Sequence, residues 1–114
     1  MDKPSDKQRI LHILKAIHLI EDFVLNIDEP EFIEDIKLQS AIQYQFLVIG
    51  EATKYIDDAI LKKYNYPWHI PKSFRNFIIH EYHGVKMERI YYASKDLEKL
   101  KTQIQLILKN EFNS

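Results

Sequence analysis

The chain has 114 residues, 46% of them hydrophobic and 29% charged, with a formal net charge of −1, five His, two Gly, four Pro and no Cys. This is the length of one domain with material for a modest core, which excludes a disordered chain, and so few glycines leave little for the tight turns of an all-β fold. The charge excludes a uniformly basic sheath for nucleic acid though not a local basic patch, and the missing cysteines exclude disulfides, a thiolate nucleophile and a thiolate metal site.

The opening residues, 1–9, are too polar for a signal peptide, and no apolar run approaches the roughly 18 residues of a membrane span. A soluble, cytoplasmic protein with no membrane partner is the expectation. Ser5 or Asp6 can cap a first helix. Ile10, Ile13, Ile17, Ile20, Val24 and Ile27 then recur at alternating spacings of three and four, and Leu14 and Phe23 widen them into the broad stripe of a bundle helix. Asp28-Glu29-Pro30 is expected to end this helix, because proline cannot continue it. His12 and His18 read as polar or partly buried scaffold positions.

A second helical region is expected from about Glu31 to Ile60, with Phe32 and Ile36 opening it as a short turn. Leu38, Ala41, Ile42, Ile49, Ala52, Ile56 and Ala59 form its stripe. Phe46, Leu47 and Val48 are surplus to that stripe, so the helix should be packed on two sides, the second against another subunit. Gly50 in mid-helix costs about 1 kcal/mol relative to Ala and predicts a backbone passing close by. Asn65-Tyr66-Pro67 reads as a break, with Trp68 anchoring the loop.

A short helix follows, with Pro71 as its first residue and Gly84 at its C′ position. At about 100° per residue, Arg75, Asn76, Ile79, His80, Tyr82 and His83 cover one side of roughly 160°, opposite Ile70, Phe74, Phe77 and Ile78. Glu81 is the one charge on that apolar side. The last helix is expected from about Lys86 to Asn110 on Ile90, Leu97, Leu100, Ile104 and Ile107. Residues 1–114 therefore read as one all-α domain, an up-and-down four-helix bundle with short extra helical segments.

The chemistry concentrates on the short helix. Imidazole exchanges protons near pH 7 without help from its surroundings, and a guanidinium grips phosphate in a two-pronged geometry. Arg75 and His80 together suit phosphodiester cleavage without a metal. Five residues apart, however, they point about 140° from each other on one helix and converge most easily where two such helices meet across a dimer. Asn76 and His80, four apart, share a face. By composition and spacing alone, the same pattern also describes a solvated polar helix face. His80 and His83 have a permitted metal spacing and His69 is near in sequence, but Glu81 points elsewhere and no third ligand is evident.

The Ala41…Ile49-Gly50-Glu51-Ala52 segment, Pro67-Trp68, and Arg75-Asn76-(three residues)-His80-Glu81-Tyr82 followed by Gly84-Val85 resemble the HepT-like family of HEPN domains. The resemblance covers nearly the whole chain, from the first amphipathic helix onward. These are toxin partners of minimal nucleotidyltransferases in prokaryotic, type VII-like toxin–antitoxin pairs. The resemblance implies an all-α homodimer acting as a metal-independent RNA endonuclease with no cofactor. Arg75 and His80 of both subunits would be catalytic in an interface cleft, with Asn76 in support. Tyr82 would be the position where the nucleotidyltransferase antitoxin attaches AMP to silence the toxin. Departures are Lys86, where many relatives carry a capping Asp, His83 in place of an aromatic residue, and Phe74 before the Arg.

Two functions are weighed. In the first, the ribose 2′-OH attacks the adjacent phosphate, His80 moves a proton and Arg75 holds the charge, so RNA and not DNA is the substrate. In the second, a non-catalytic helical dimer binds a nucleotide or docks a nucleotidyltransferase partner.

Overall fold

The computed structural model describes residues 3–81 and 84–113, which are helical with no strand among them. Ser5 opens the first helix, α1 (Asp6–Val24). Its hydroxyl accepts from Gln8 N at 3.1 Å, while the Gln8 side-chain oxygen takes the Ser5 N–H at 2.8 Å. Ile10, Ile13, Ile17, Ile20 and Val24 are buried as the stripe predicts. The helix stops earlier than expected, because Asn26 turns left-handed at φ 61°.

Pro30 therefore does not end a helix. It sits in the first turn of a new one, α2 (Glu29–Glu34), where the missing N–H forfeits no bond. Asp28 and Glu31 cap that turn reciprocally. Asp35 then ends α2 and caps α3 (Ile36–Tyr55), accepting from Leu38 N at 3.0 Å. Gln39 ties the two helices together by donating to the carbonyls of Phe32 and Ile33.

The long second helix also ends sooner than its periodicity suggests. Ile56 is extended and buried, and Asp57 caps a separate turn, α4 (Asp58–Leu61). Trp68 anchors the following loop: its indole N–H donates to Tyr64 O at 3.2 Å and its ring lies 4.9 Å from that of Tyr66. Next comes α5 (His69–His80), which starts two residues before Pro71 and leaves that proline buried in its first turn. Gly84 is not a left-handed cap. Its N–H turns back to Glu81 O at 2.7 Å, and neither glycine has a positive φ.

The expected last helix is divided into α6 (Met87–Ser94) and α7 (Glu98–Phe112). At the break, Leu97 turns into the core and Lys95 Nζ donates at 2.9 Å to Val24 O, a carbonyl at the end of α1 that also accepts from Ile27 N at 3.0 Å. Tyr91 donates to Ile27 O at 2.9 Å, fixing the same end. Lys86 precedes α6 with no side-chain cap, as the missing aspartate at that position implies.

α1 and α3 form the central pair. α7 packs on α1, and α5 packs on α3. This corrects the reading of α3: its second apolar side is covered by α5 of the same chain. Phe46 is accordingly not surplus, since it is buried and meets Phe74 edge-on with centroids 4.9 Å apart. Leu47 and Val48 remain half-buried. On α5, Ile78 is buried and Phe74 and Phe77 are half-buried as expected, but Ile70 is exposed. Phe46→Ala should lower stability by about 3–5 kcal/mol, as for other buried aromatics, without changing the oligomeric state. Urea unfolding and sedimentation velocity provide the two readings.

Candidate active site

Gly50 fixes where α5 lies. A Cβ added there would stand 2.4 Å from Arg75 Cβ and 2.8 Å from the Pro71 carbonyl oxygen. The two helices thus touch through backbone and the root of Arg75, as the mid-helix glycine predicts. This close approach puts the Arg75 side chain along α3, where it is 24% exposed and packs its aliphatic part over Gly50. Arg75 is more deeply placed than a residue on a solvated face.

Its guanidinium is held on two sides. Nε lies 2.8 Å from Glu51 Oε2, and Nη1 donates to Asn76 Oδ1 at 3.1 Å. The Glu51 contact is ionic: Oε2 is buried and takes no hydrogen bond from any described residue. Glu51 and Asn76 together orient the planar head and leave donors for an incoming oxyanion. Asn76 is thus brought to Arg75. Glu51 as its charge partner was not read from the sequence, although its place one residue after the crossing glycine was a usable signal.

Arg75 opens into a cleft of about 640 Å³ whose floor is largely apolar, with Leu47, Val48 and Ile79 in it. His12 also lines it, so that histidine is an exposed cleft residue and not buried scaffold. His80 does not line it. It ends α5, exposed, with no hydrogen bond or ion pair to any described residue. One protomer therefore does not bring Arg75 and His80 into one cleft, in keeping with their angular separation on the helix.

Tyr82 and His83 lie outside the described residues. No three His, Cys, Asp or Glu among the described residues are gathered as a metal site. The displaced titrations lie elsewhere. Hydrogen bonds from Tyr64 and Lys63 hold the Glu111 carboxyl below its usual range, and burial followed by the charge of Asp96 pushes the Tyr66 phenol up.

The family described as Ribonuclease HepT-like matches residues 13–107. The chain belongs to the HepT-like ribonuclease family. It is 32% identical over 109 residues to a protein of Thermococcus cleftensis named "Probable ribonuclease HepT", covering 94% of this chain and 99% of that one. A Methanocaldococcus jannaschii protein named "Putative RNase MJ1380" is 29% identical over 109 residues, 94% of this chain and all of that relative. A second from that organism, "Gamma-glutamylcyclotransferase and putative RNase MJ0434", is 34% identical over 99 residues; the match takes 85% of this chain but only 45% of the relative's length. No solved structure matches at a significant level.

For this HepT-like chain, the crossing at Gly50 makes a direct prediction. Gly50→Ala should cost about 1–3 kcal/mol through overpacking, against the roughly 1 kcal/mol that alanine gains in a helix. Arg75 would be pushed away from Glu51, so any activity that needs Arg75 should fall further than thermal stability does. A variant with unchanged activity and a higher melting temperature would mean that the crossing is looser than described.

Proposed function

We propose that this protein is a metal-independent endoribonuclease, the toxin of a prokaryotic toxin–antitoxin pair. The observation that carries the reading is the Arg75 guanidinium, set at a cleft by Glu51 and Asn76 in a chain of the HepT-like family. The substrate is RNA, and the reaction is an internal transesterification. The 2′ oxygen forms a bond to the adjacent phosphorus as the P–O5′ bond breaks. This leaves a 2′,3′-cyclic phosphate and a free 5′-OH. The His80 imidazole takes the 2′-OH proton and, once protonated, gives a proton to the departing 5′ oxygen. Arg75 holds the charge that builds on the phosphoryl oxygens.

A homodimer fits this chemistry. His80 stands outside the Arg75 cleft of its own chain, and a second copy would supply the missing imidazole. Leu47 is half-buried and Ile79 is 39% exposed, leaving apolar surface beside Arg75 for such a contact. Among the described residues no helix is long and apolar enough to cross a membrane, and a cytoplasmic toxin is consistent with that.

Silencing would come from a minimal nucleotidyltransferase antitoxin that transfers AMP to Tyr82, two residues beyond the end of α5. The new phosphodiester would be drawn to the guanidinium that otherwise grips RNA. Neighbouring phenols are less suited, because Tyr91 donates to Ile27 O and Tyr92 to Glu29. The alternative of a non-catalytic nucleotide-binding dimer draws on the cleft volume, which is in the range of small-ligand sites.

Incubation of the purified protein with total RNA in EDTA separates these readings. Cleavage is expected from the parent and should be lost in both Arg75→Ala and His80→Ala, with helical circular dichroism retained. Intact RNA with the parent, or full activity in either variant, would reject the catalytic assignment. With the partner nucleotidyltransferase and ATP, mass spectrometry should place an adenylyl shift on Tyr82, and Tyr82→Phe should escape silencing. A shift on Tyr91 or Tyr92 would reject that assignment.

A further inference from the structure

The Arg75 cleft has a second wall that catalysis by Arg75 and His80 does not use. On α3, Tyr44, Val48, Glu51 and Tyr55 follow one another at spacings of four, three and four, forming one stripe along the cleft. The two tyrosines are eleven positions apart, which corresponds to about 16 Å of helix axis. Tyr44 is 62% exposed, a large aromatic surface, and its ring pairs with no other aromatic ring among the described residues.

The facing wall is the start of α1. Arg9 is locked there: Nη1 donates to Tyr55 O at 2.8 Å, the guanidinium lies 5.5 Å over the Tyr55 ring, and Asp6 is 3.6 Å away. His12, one turn further along α1, is exposed and makes no hydrogen bond or ion pair with any described residue. Lys3 stands at the same mouth. The cleft is therefore lined by Lys3, Arg9, His12 and Arg75 against the single carboxylate of Glu51, in a chain whose net charge is −1. Asp6 offsets part of the Arg9 charge and Glu51 part of the Arg75 charge, which leaves Lys3, His12 and the remaining Arg75 donors as the groups open to an anion.

Exposed aromatic faces over an apolar floor, rimmed by cations, suit unpaired bases joined by phosphates. A base in a duplex has both faces covered and cannot use such a platform. The geometry points to a subsite for single-stranded RNA on the α1–α3 wall. Tyr44 stacks an unpaired base that flanks the scissile phosphate, His12 and Lys3 meet the neighbouring phosphate, and Arg9 is a positioning residue that fixes the wall. This rests on the ribonuclease reading for the identity of the scissile phosphate, but the binding can be measured apart from cleavage.

The probe is a fluorescent twelve-nucleotide single-stranded RNA, 2′-O-methylated throughout so that it cannot be cut, titrated with the full chain and read by anisotropy. Tyr44→Ala should raise Kd by about five- to a hundredfold, the range of one base–aromatic stack, and Tyr44→Phe should stay within about twofold of the parent. His12→Ala should weaken binding several-fold, and duplex RNA should not displace the probe. Parent-like binding by both Tyr44→Ala and His12→Ala overturns the subsite and leaves the ribonuclease reading intact. Weakened binding by Tyr44→Ala that comes with conversion of dimers to monomers in sedimentation also overturns it, because Tyr44 is then an interface residue. A parent that grips the probe through Tyr44 but leaves cleavable RNA whole upholds the subsite and rejects the ribonuclease.

Discussion

Two helices can cross at backbone contact only where one of them carries no side chain at the crossing, and in α3 that place is Gly50. With the space of a single methyl group denied, α5 settles against α3 through Pro71 O and the root of Arg75. The side chain can then leave the crossing only along the surface of α3, where Glu51 receives it. The buried Glu51 oxygen has no hydrogen-bond donor among the described residues, so the guanidinium's charge is what makes its burial tolerable. Packing and electrostatics here are one constraint: the glycine sets the distance and the carboxylate sets the orientation.

The rest of the bundle holds that crossing still. At the far end of α1, the chain from Val24 to Ile27 is fastened by Lys95 and Tyr91, which donate to the carbonyls of Val24 and Ile27. Lys101 adds an ion pair to Glu21 at 3.1 Å, and Lys63 and Tyr64 hold Glu111. None of these groups lines the Arg75 cleft. The clamps within the cleft are those on Arg9 and Arg75, which leave Lys3, His12 and Tyr44 exposed there.

The stripes of α1 and α7 were legible because apolar periodicity survives any arrangement of neighbours. Gly50 was legible for the same kind of reason, since a glycine in mid-helix needs a cause. Ser5 as the cap of α1 was legible too, but most other helix ends were not. Pro30 carries opposite meanings in the interior and in the first turn, and only Asp28 and Glu31 capping each other decided which applied. The breaks at Ile56 and Lys95–Leu97 interrupt stripes that remain in phase, so periodicity alone runs through them. Phe46 illustrates a different limit: an apolar residue off the main stripe needs a partner, but its sequence position does not say whether that partner is Phe74 of the same chain or a second molecule. At the site, the wide angle between Arg75 and His80 followed from helix geometry. The part played by His12 depended on α1 facing the cleft, which no local pattern encodes.

Lys3 and Pro4 have an effect that reaches past the domain itself. Both precede α1, yet both belong to the wall of the Arg75 cleft. Whatever is joined ahead of Lys3 is delivered to the mouth of that cleft on a tether of a few residues, at an effective concentration that can rival millimolar free ligand. An acidic or aromatic leader would become a built-in competitor for the groove, and a basic one an extension of it. Joined after Asn113, the same segment would start beside Glu111 and its partners Lys63 and Tyr64, none of which lines the groove. Which end carries an affinity tag or a fused partner is therefore a chemical variable of this protein.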